Sequence, residues 1–169
     1  EMEGQALIGA DGLWSTVRHL MLQDAEPRVT GHLAYRALVG QRDLPAYLRS
    51  QQVTVWVGPD LHVVQYPVRK GHWLNVVAIV HGVVAGDADT WDNDTHVRDL
   101  QAAMGTTCNR LQDLIAAIGT WRLWPLCDRP PMTGAHEQAR GRVALLGDAA
   151  HPMRPYMAQG AAMAIEDAA

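Results

Sequence analysis

The chain has 169 residues, of which 48% are hydrophobic and 19% charged, and this composition is typical of a single globular domain. Its formal net charge of −4 and the lack of a basic stripe argue against nucleic acid as a partner. Two distant cysteines and scattered histidines show no metal-ligand spacing, so no metal site is expected. No signal peptide and no apolar run of roughly 18 residues is visible, and a cytoplasmic protein without membrane contact is the expectation.

The N-terminal segment is typical of a strand, a turn and a short helix. Residues 6–9 are an apolar run ending in glycine, which indicates a buried strand. Ala10, Asp11 and Gly12 form a sharp turn, and residues 15–22 favour one or two helical turns. Taken alone, this Asp-Gly pair is most simply a turn whose aspartate caps a helix, although strand ends in open α/β sheets are also where ligands bind.

The middle of the chain changes to a strand pattern and then to helices. Segments rich in Val, Trp and Tyr, separated by Gly, Pro and Asp, predict an antiparallel sheet. These strands are residues 34–39, 53–57, 61–66 and 73–80. An acidic loop over 87–94 precedes helices over 95–104 and 108–118, in which apolar residues recur at helical spacing. Residues 121–125 return to an extended form, and 128–141 are expected to be a loop.

The C-terminal segment predicts a strand, an elaborate bend and a helix. Residues 143–147 are a buried-strand run that delivers Asp148 to its end, and a bend with two prolines follows. Gly160 opens a helix of small residues over 160–168, where a ligand can approach backbone N–H groups and a dipole that favour negative charge. A generic strand–loop–helix is the structural alternative, but the bend is long for a simple connection.

Two α/β ends therefore flank a mostly β middle, which predicts an α+β fold. The segments are residues 1–28, 29–135 and 136–169. The two ends are expected to belong together in space, and the middle to form a lobe over them.

Both ends resemble the FAD-dependent aromatic hydroxylases, the family that includes salicylate hydroxylase and 6-hydroxynicotinate 3-monooxygenase. Residues 9–18, with the sequence Gly-Ala-Asp-Gly-Leu-Trp-Ser-Thr-Val-Arg, resemble the DG motif of that family, and residues 142–168 resemble its GD motif. Residues 62–68, 74–78 and 124–129 resemble its substrate-domain sheet. The resemblance implies a partial FAD-binding domain, covering 1–28 and 136–169, into which a substrate-binding antiparallel sheet is inserted.

The resemblance also implies residues that hold FAD. Asp148 would accept hydrogen bonds from the ribityl chain, and the helix tip at Gly160 would face the pyrimidine end of the flavin. Asp11 would lie near the pyrophosphate, Pro155 would wall the flavin, and Arg18 would either pair with an acidic residue or contact the cofactor. The implied cofactor-binding set is Asp11, Gly12, Arg18, Gly147, Asp148, Pro155, Gln159, Gly160 and Ala161.

The chemistry implied is hydroxylation of a small aromatic compound, in which NAD(P)H reduces FAD and O2 supplies the oxygen atom. Tyr66, His151 and Tyr156 are the candidates for contact with the aromatic ring. Each has a structural alternative: Tyr66 as plain core, His151 as a brace of the loop, and Tyr156 as loop packing.

The sequence departs from the family in one respect, because no two glycines are two positions apart and no G-x-G-x-x-G fingerprint for the FAD pyrophosphate is present. We therefore expect the 169-residue polypeptide alone to bind FAD weakly and not to turn over, with the full-length parent as the enzyme. Strands at Leu7 and Val143 are expected to leave open edges and exposed apolar surface. Strand exchange in a homodimer would fill such a gap.

Two other functions stay open: a hydroxylase of the same fold for a quinone precursor or natural product, and a non-catalytic remnant that binds an aromatic ligand.

Overall fold

The computed structural model describes residues 3–82, 93–95 and 97–169, which form two compact units. The first unit comprises residues 1–30 and 127–169, and the second comprises residues 31–126. The second boundary thus falls before the expected position at residue 135, because Arg129 is hydrogen-bonded to Leu13 and Ala25 inside the first unit. The assignment of cofactor binding to one unit and substrate binding to the other stays a prediction.

A run of strands and then a pair of helices occupies the middle of the chain, as expected for an α+β protein. The helices and strands are β1 (Leu7–Gly9), α1 (Thr16–Leu22), β2 (Arg28–Gly40), β3 (Thr54–Gly58), β4 (Leu61–Val68), β5 (Trp73–His81), β6 (Asn93–Thr95), α2 (Val97–Met104), α3 (Asn109–Ala116), β7 (Trp121–Asp128), α4 (Ala135–Gln138), β8 (Ala139–Arg140), β9 (Val143–Leu145) and α5 (Gly160–Asp167). Short 3-10 turns occupy Gln41–Asp43, Ala46–Leu48, Gly147–Ala149 and Pro155–Met157.

Two predicted segments differ from the structure. The expected loop over 128–141 contains α4 and β8, because Gly141 adopts a left-handed conformation (φ 63°) that turns β8 back to pair with β9. The helix expected from residue 95 begins at Val97, because residues 93–95 pair with β7 instead. Most of the predicted acidic loop, residues 87–92, lies outside the described residues.

The first unit is built on parallel pairing between the two ends of the chain. β1 pairs with β9 in the register Leu7↔Val143, and β8 completes a three-stranded sheet in the order β1-β9-β8. Gly9 makes close packing possible, since a Cβ atom there would lie 2.7 Å from Leu145 and 2.8 Å from Val17. The joining of the two ends that the sequence predicts is therefore confirmed. On β1, Leu7 and Ile8 are 52% and 56% exposed, so the prediction of a buried strand is wrong for these two residues, whereas the expected exposed apolar surface at this open edge is observed.

The second unit is an antiparallel sheet with a helical layer on one face. Its strand order is β3-β4-β5-β2-β7-β6. Alternate residues of β2, β4 and β5 pack with the helices α2 and α3 in a core that includes Val63, Leu74, Val76, Leu114 and Trp121. This core accounts for the apolar spacing in the predicted strands and helices. None of the described helices is long and apolar enough to cross a membrane.

The helical layer provides a test of this core. Leu114 is buried on α3, whereas Arg110 is exposed on the same helix. We expect Leu114→Ala to destabilise the second unit by about 2–5 kcal/mol, because it removes buried methyl groups and leaves a cavity. The control Arg110→Ala is expected to change stability by no more than about 0.5 kcal/mol. Urea unfolding followed by tryptophan fluorescence measures both, and equal effects of the two substitutions would contradict this core.

Candidate functional site

The turn after β1 is held by its own aspartate. Asp11 accepts a hydrogen bond from the Ser15 hydroxyl (2.5 Å) and another from the backbone N–H of Val17 (3.1 Å). Partial burial raises the pKa of Asp11, but these hydrogen bonds together lower it by a larger amount. The pKa of Asp11 therefore lies below the ordinary value. Gly12 is left-handed (φ 78°), which a glycine adopts without strain. Asp11 thus organises the start of α1 through Ser15 and Val17, although the N-cap itself is Ser15, and the contact of Asp11 with a cofactor stays a prediction.

Arg18 connects the turn after β1 to the segment after β9. Its side chain is only 3% exposed, and its Nε donates to Asp24 at 2.6 Å. Its Nη1 donates to the backbone carbonyls of Ala149 (3.2 Å) and Ala150 (2.6 Å), directly after Asp148 in the sequence. Among the two roles considered for Arg18, the structure supplies the ion-pair partner.

A second buried arginine completes this network, and the sequence offered no signal for its role. Arg129 donates from Nη1 to Asp24 (3.2 Å) and to the Ala25 carbonyl (2.7 Å), and from Nε to the Leu13 carbonyl (2.9 Å). Asp24 therefore lies between two guanidinium groups and pairs with both of them. Asp24 stands in no recognisable motif, and Arg129 ends a segment that resembles the family without an implied role, so only the three-dimensional arrangement reveals their contact.

The segment after β9 brings Asp148 next to the tip of α5. A Cβ atom built on Gly160 would lie 3.8 Å from Asp148 Oδ1 and 4.0 Å from Met153. Gly147 is buried and left-handed (φ 59°), which turns the chain sharply so that Asp148 is exposed. The exposed carboxylate of Asp148 therefore lies beside Gly160, which begins α5 and has no side chain. A cradle for the ribityl chain and the flavin ring would require this arrangement.

The bend before α5 leaves its polar and small residues exposed. Pro155 begins a 3-10 turn, and Ala158 is left-handed (φ 52°), a conformation that costs a non-glycine residue roughly 1–2 kcal/mol. Gln159 caps α5 without a side-chain hydrogen bond, and Ala161 is exposed in the first turn. Strained backbone of this kind is characteristic of ligand-binding sites.

Tyr156 lies half-buried in the same bend. Its phenol has a pKa above the ordinary value because burial raises it, although the Arg154 guanidinium, 5.9 Å from the ring centre, opposes that shift. The hydroxyl is therefore protonated at neutral pH.

His151 is held by Asp167, a residue that the sequence analysis did not single out. Its Nε2 lies 2.6 Å from Asp167 Oδ2, and the same oxygen accepts a hydrogen bond of 2.7 Å from the backbone N–H of Gly147. Gln138 donates to Asp167 Oδ1 at 3.1 Å. One carboxylate on α5 thus fixes the turn after β9. The structure realises the bracing alternative for His151, while its contact with a substrate ring stays a prediction.

Tyr66 belongs to the second unit. It lies on β4 opposite Asn75 of β5 and is half-buried. Neighbouring Val63 and Gln65 point to the opposite side, and Val63 belongs to the core, so Tyr66 is on the sheet face away from the helices. The alternative of Tyr66 as plain core is thereby disfavoured, and its substrate contact stays a prediction.

Known proteins share this arrangement over the whole chain. A sequence profile of the family described as FAD binding domain matches residues 1–169. The chain belongs to this family. The 3-hydroxybenzoate 6-hydroxylase 1 of Aquipseudomonas alcaligenes is 42% identical over 171 residues, and the 3-hydroxybenzoate 6-hydroxylase of Polaromonas naphthalenivorans (strain CJ2) is 43% identical over 166 residues. These alignments cover 99% and 98% of the chain and 41% and 40% of the relatives, so the chain spans about two fifths of their length.

Solved structures agree with the sequence relatives. A salicylate hydroxylase in complex with substrate superposes with a TM-score of 0.83 at 28% identity, covering 98% of this chain and 44% of that one. HpxO of Klebsiella pneumoniae, complexed with FAD and uric acid, gives 0.80 at 32% identity, covering 99% and 41%. The predicted family and the α+β fold with an antiparallel sheet are therefore confirmed. FAD is the cofactor of this family, and within the described residues no group of three His, Cys, Asp or Glu side chains is placed to hold a metal ion.

The carboxylate of Asp167 makes stability depend on pH. Partial burial raises the pKa of Asp167, but hydrogen bonds from Gly147, His151 and Gln138 together lower it by a larger amount. The pKa of Asp167 in the folded protein therefore lies below the ordinary value. A depressed pKa means that this stabilisation is present above the unfolded pKa near 3.8 and is lost as the pH falls through the folded pKa. We therefore expect the stability lost in acid to be smaller in Asp167→Asn than in the parent protein.

Thermal unfolding of both proteins between pH 7 and pH 2.5 measures this difference. Glu166→Gln serves as the control, because Glu166 is the exposed neighbour of Asp167 on α5. At pH 7 Asp167→Asn is expected to cost about 1–3 kcal/mol, since it weakens hydrogen bonds to a charged acceptor. Identical pH profiles for the parent protein and Asp167→Asn would refute the role of this carboxylate.

Proposed function

We propose that the protein is an FAD-dependent monooxygenase that hydroxylates a small hydroxybenzoate-type aromatic compound with NAD(P)H and O2. The observation that carries the proposal is the exposed Asp148 carboxylate beside Gly160 at the start of α5. Relatives of 42% and 43% identity are 3-hydroxybenzoate 6-hydroxylases, and others of about 35% identity are 3-amino-4-hydroxybenzoate 2-monooxygenases. These substrates share a benzoic acid with an electron-rich ring.

Asp148 and the tip of α5 would hold the flavin from two sides. A carboxylate accepts short, charge-assisted hydrogen bonds from hydroxyl donors such as those of a ribityl chain. The positive end of the α5 dipole and its first N–H groups suit the electron-rich pyrimidine edge of a flavin. When bound, FAD would take up electrons from NAD(P)H and activate O2, and the protein would contribute orientation and exclusion of water. Gly147, Pro155, Gln159 and Ala161 would shape the cradle.

Arg18 and Asp11 would act as positioning residues at this site. Arg18 fixes the carbonyls of Ala149 and Ala150, and thus the backbone that follows Asp148. Asp11 fixes the start of α1, from which Arg18 projects, and its free lone pairs would be available to a cofactor hydroxyl. Together with Gly12 these residues set the geometry of the cradle.

Three residues would serve the substrate. Tyr156 would contribute a half-buried ring in the bend before α5, and Tyr66 would contribute a half-buried ring on the face of its sheet away from the helices. His151 would act through the turn that it braces with Asp167 rather than by proton transfer from Nε2, because that nitrogen is engaged by the carboxylate.

Replacement of Asp148 tests the cradle. In the full-length protein, Asp148→Ala is expected to weaken FAD binding by roughly 10- to 100-fold, because it removes a charged acceptor worth about 1.5–3 kcal/mol. Glu166→Ala, an exposed carboxylate on α5, is the matched control and should bind FAD as the parent protein does. Flavin fluorescence during titration of the apoprotein gives both affinities.

Hydroxybenzoate-dependent NADH oxidation with formation of a dihydroxybenzoate tests the activity, and absence of this reaction from the FAD-loaded protein would refute the proposed reaction.

The 169-residue polypeptide by itself is expected to hold FAD weakly. It spans about two fifths of its relatives and contains no G-x-G-x-x-G sequence for the pyrophosphate. The visible spectrum after desalting measures the retained flavin, and light scattering on the same sample measures whether copies pair by strand exchange. Stoichiometric yellow flavin on the monomeric polypeptide would contradict the expectation.

A further inference from the structure

A buried amide on the sheet of the second unit has a hydrogen-bonding group without a partner. Asn75 lies in the middle of β5, is 1% exposed and accepts a hydrogen bond through Oδ1 from Arg36 Nε at 3.0 Å. Its Nδ2 is buried, and no hydrogen-bond acceptor for it is found within the part of the chain that the structure describes. An unpaired buried donor is costly, so sites of this kind call for an explanation such as a bound ligand atom.

The strand register places this amide on the sheet face away from the helices. Tyr66 of β4 and Leu38 of β2 are both directly opposite Asn75, and in antiparallel pairs directly opposite side chains point to the same side of the sheet. The next row of the same face holds Arg36 and Val77, again as a cross-strand pair. A cation and an amide thus lie in adjacent rows of one sheet face.

The surroundings of this pair are apolar. Val64 is paired with Val77 on this face, and Leu38 is 43% exposed beside Asn75. The face offers Leu38, Val64, Val77 and the Tyr66 ring as an apolar platform around Asn75 and Arg36, and the histidines of this face, His62, His32 and His81, lie farther along the strands. An aromatic ring with one anionic substituent matches this distribution of apolar and polar groups.

We propose that Arg36 and Asn75 form the subsite that recognises the carboxylate of an aromatic acid. Arg36 has five N–H donors, and its bond to Asn75 uses only Nε, so the two Nη groups carry four donors that suit a carboxylate. The same bond fixes the amide so that Nδ2 supplies one more donor. The choice of a hydroxybenzoate as ligand rests on the proposed function, whereas the preference for an anion over a neutral ring rests on these two residues.

Isothermal titration of the full-length protein with 3-hydroxybenzoate and with neutral 3-hydroxybenzamide tests this subsite without requiring turnover. Arg36→Gln is expected to weaken binding of the acid by roughly 10- to 100-fold and to change binding of the amide by less than about threefold. Arg36→Lys should retain part of the affinity for the acid, because it keeps the charge and loses the planar donor fork. Asn75→Leu is expected to fold normally, since it removes an unpaired donor, and to weaken binding of the acid.

Arg110→Gln removes the same charge from the exposed side of α3, in the helical layer on the other face of the sheet, and should leave both affinities unchanged. Equal losses for acid and amide in Arg36→Gln, or no loss for the acid, would overturn the subsite while the proposed function stands. A parent protein that binds the amide as tightly as the acid would also overturn it. If the parent protein binds neither compound, both the hydroxybenzoate assignment and the subsite are wrong. Hydroxylation of a different aromatic compound would then support only the proposal of an FAD-dependent monooxygenase.

Discussion

The parallel pairing of β1 with β9 is the constraint on which the first unit depends. It joins strands that are more than 130 residues apart, and the turns that follow both strands consequently emerge at one edge of the sheet. Gly9 permits this packing because no side chain would fit against Leu145 and Val17. The turn after β1 can then be tied to the segment after β9 by a single arginine. Without the register Leu7↔Val143, Arg18 would have no access to the carbonyls of Ala149 and Ala150.

The buried guanidinium groups of Arg18 and Arg129 share one carboxylate, that of Asp24. Arg18 and Arg129 both donate to Asp24, and both also donate to backbone carbonyls. Burial of a charged group is tolerated only where its hydrogen bonds are satisfied, and loss of one partner typically costs about 3–5 kcal/mol. The network therefore contributes mainly geometry, because it fixes the backbone that follows Asp148.

Local sequence signals were sufficient for most of the secondary structure and for the main contact of the site. The apolar runs around Leu7 and Val143 predicted strands that pair, and the Asp148 and Gly160 pattern predicted a carboxylate beside a helix tip, which the structure places 3.8 Å from the position of an added Cβ. The role of Asp167 was not predicted, because a carboxylate near a helix end normally faces solvent. Only the packing of α5 against Gly147 and His151 gives this carboxylate its partners.

Other residues could not be found from local patterns for a related reason. Asp24 and Arg129 are 105 residues apart, and although residues 124–129 resemble the family, no local pattern predicts that these two side chains meet. The unpaired amide of Asn75 is likewise a property of three neighbouring strands, whereas β5 alone reads as an apolar strand with one polar residue. Hydrophobic periodicity reports which side of an element is buried, and it does not report which polar groups meet there.

The route of the chain between the two units has a consequence for how such proteins diversify. The polypeptide leaves the first unit along β2 and returns along β7, and these two strands are neighbours in the six-stranded sheet. Because entry and exit are side by side, the length and the side chains of everything between them can change without disturbing the pairing of β1 with β9. Such a junction tolerates exchange of the second unit as a module, while the strand pairing and the arginine network of the first unit are inherited intact.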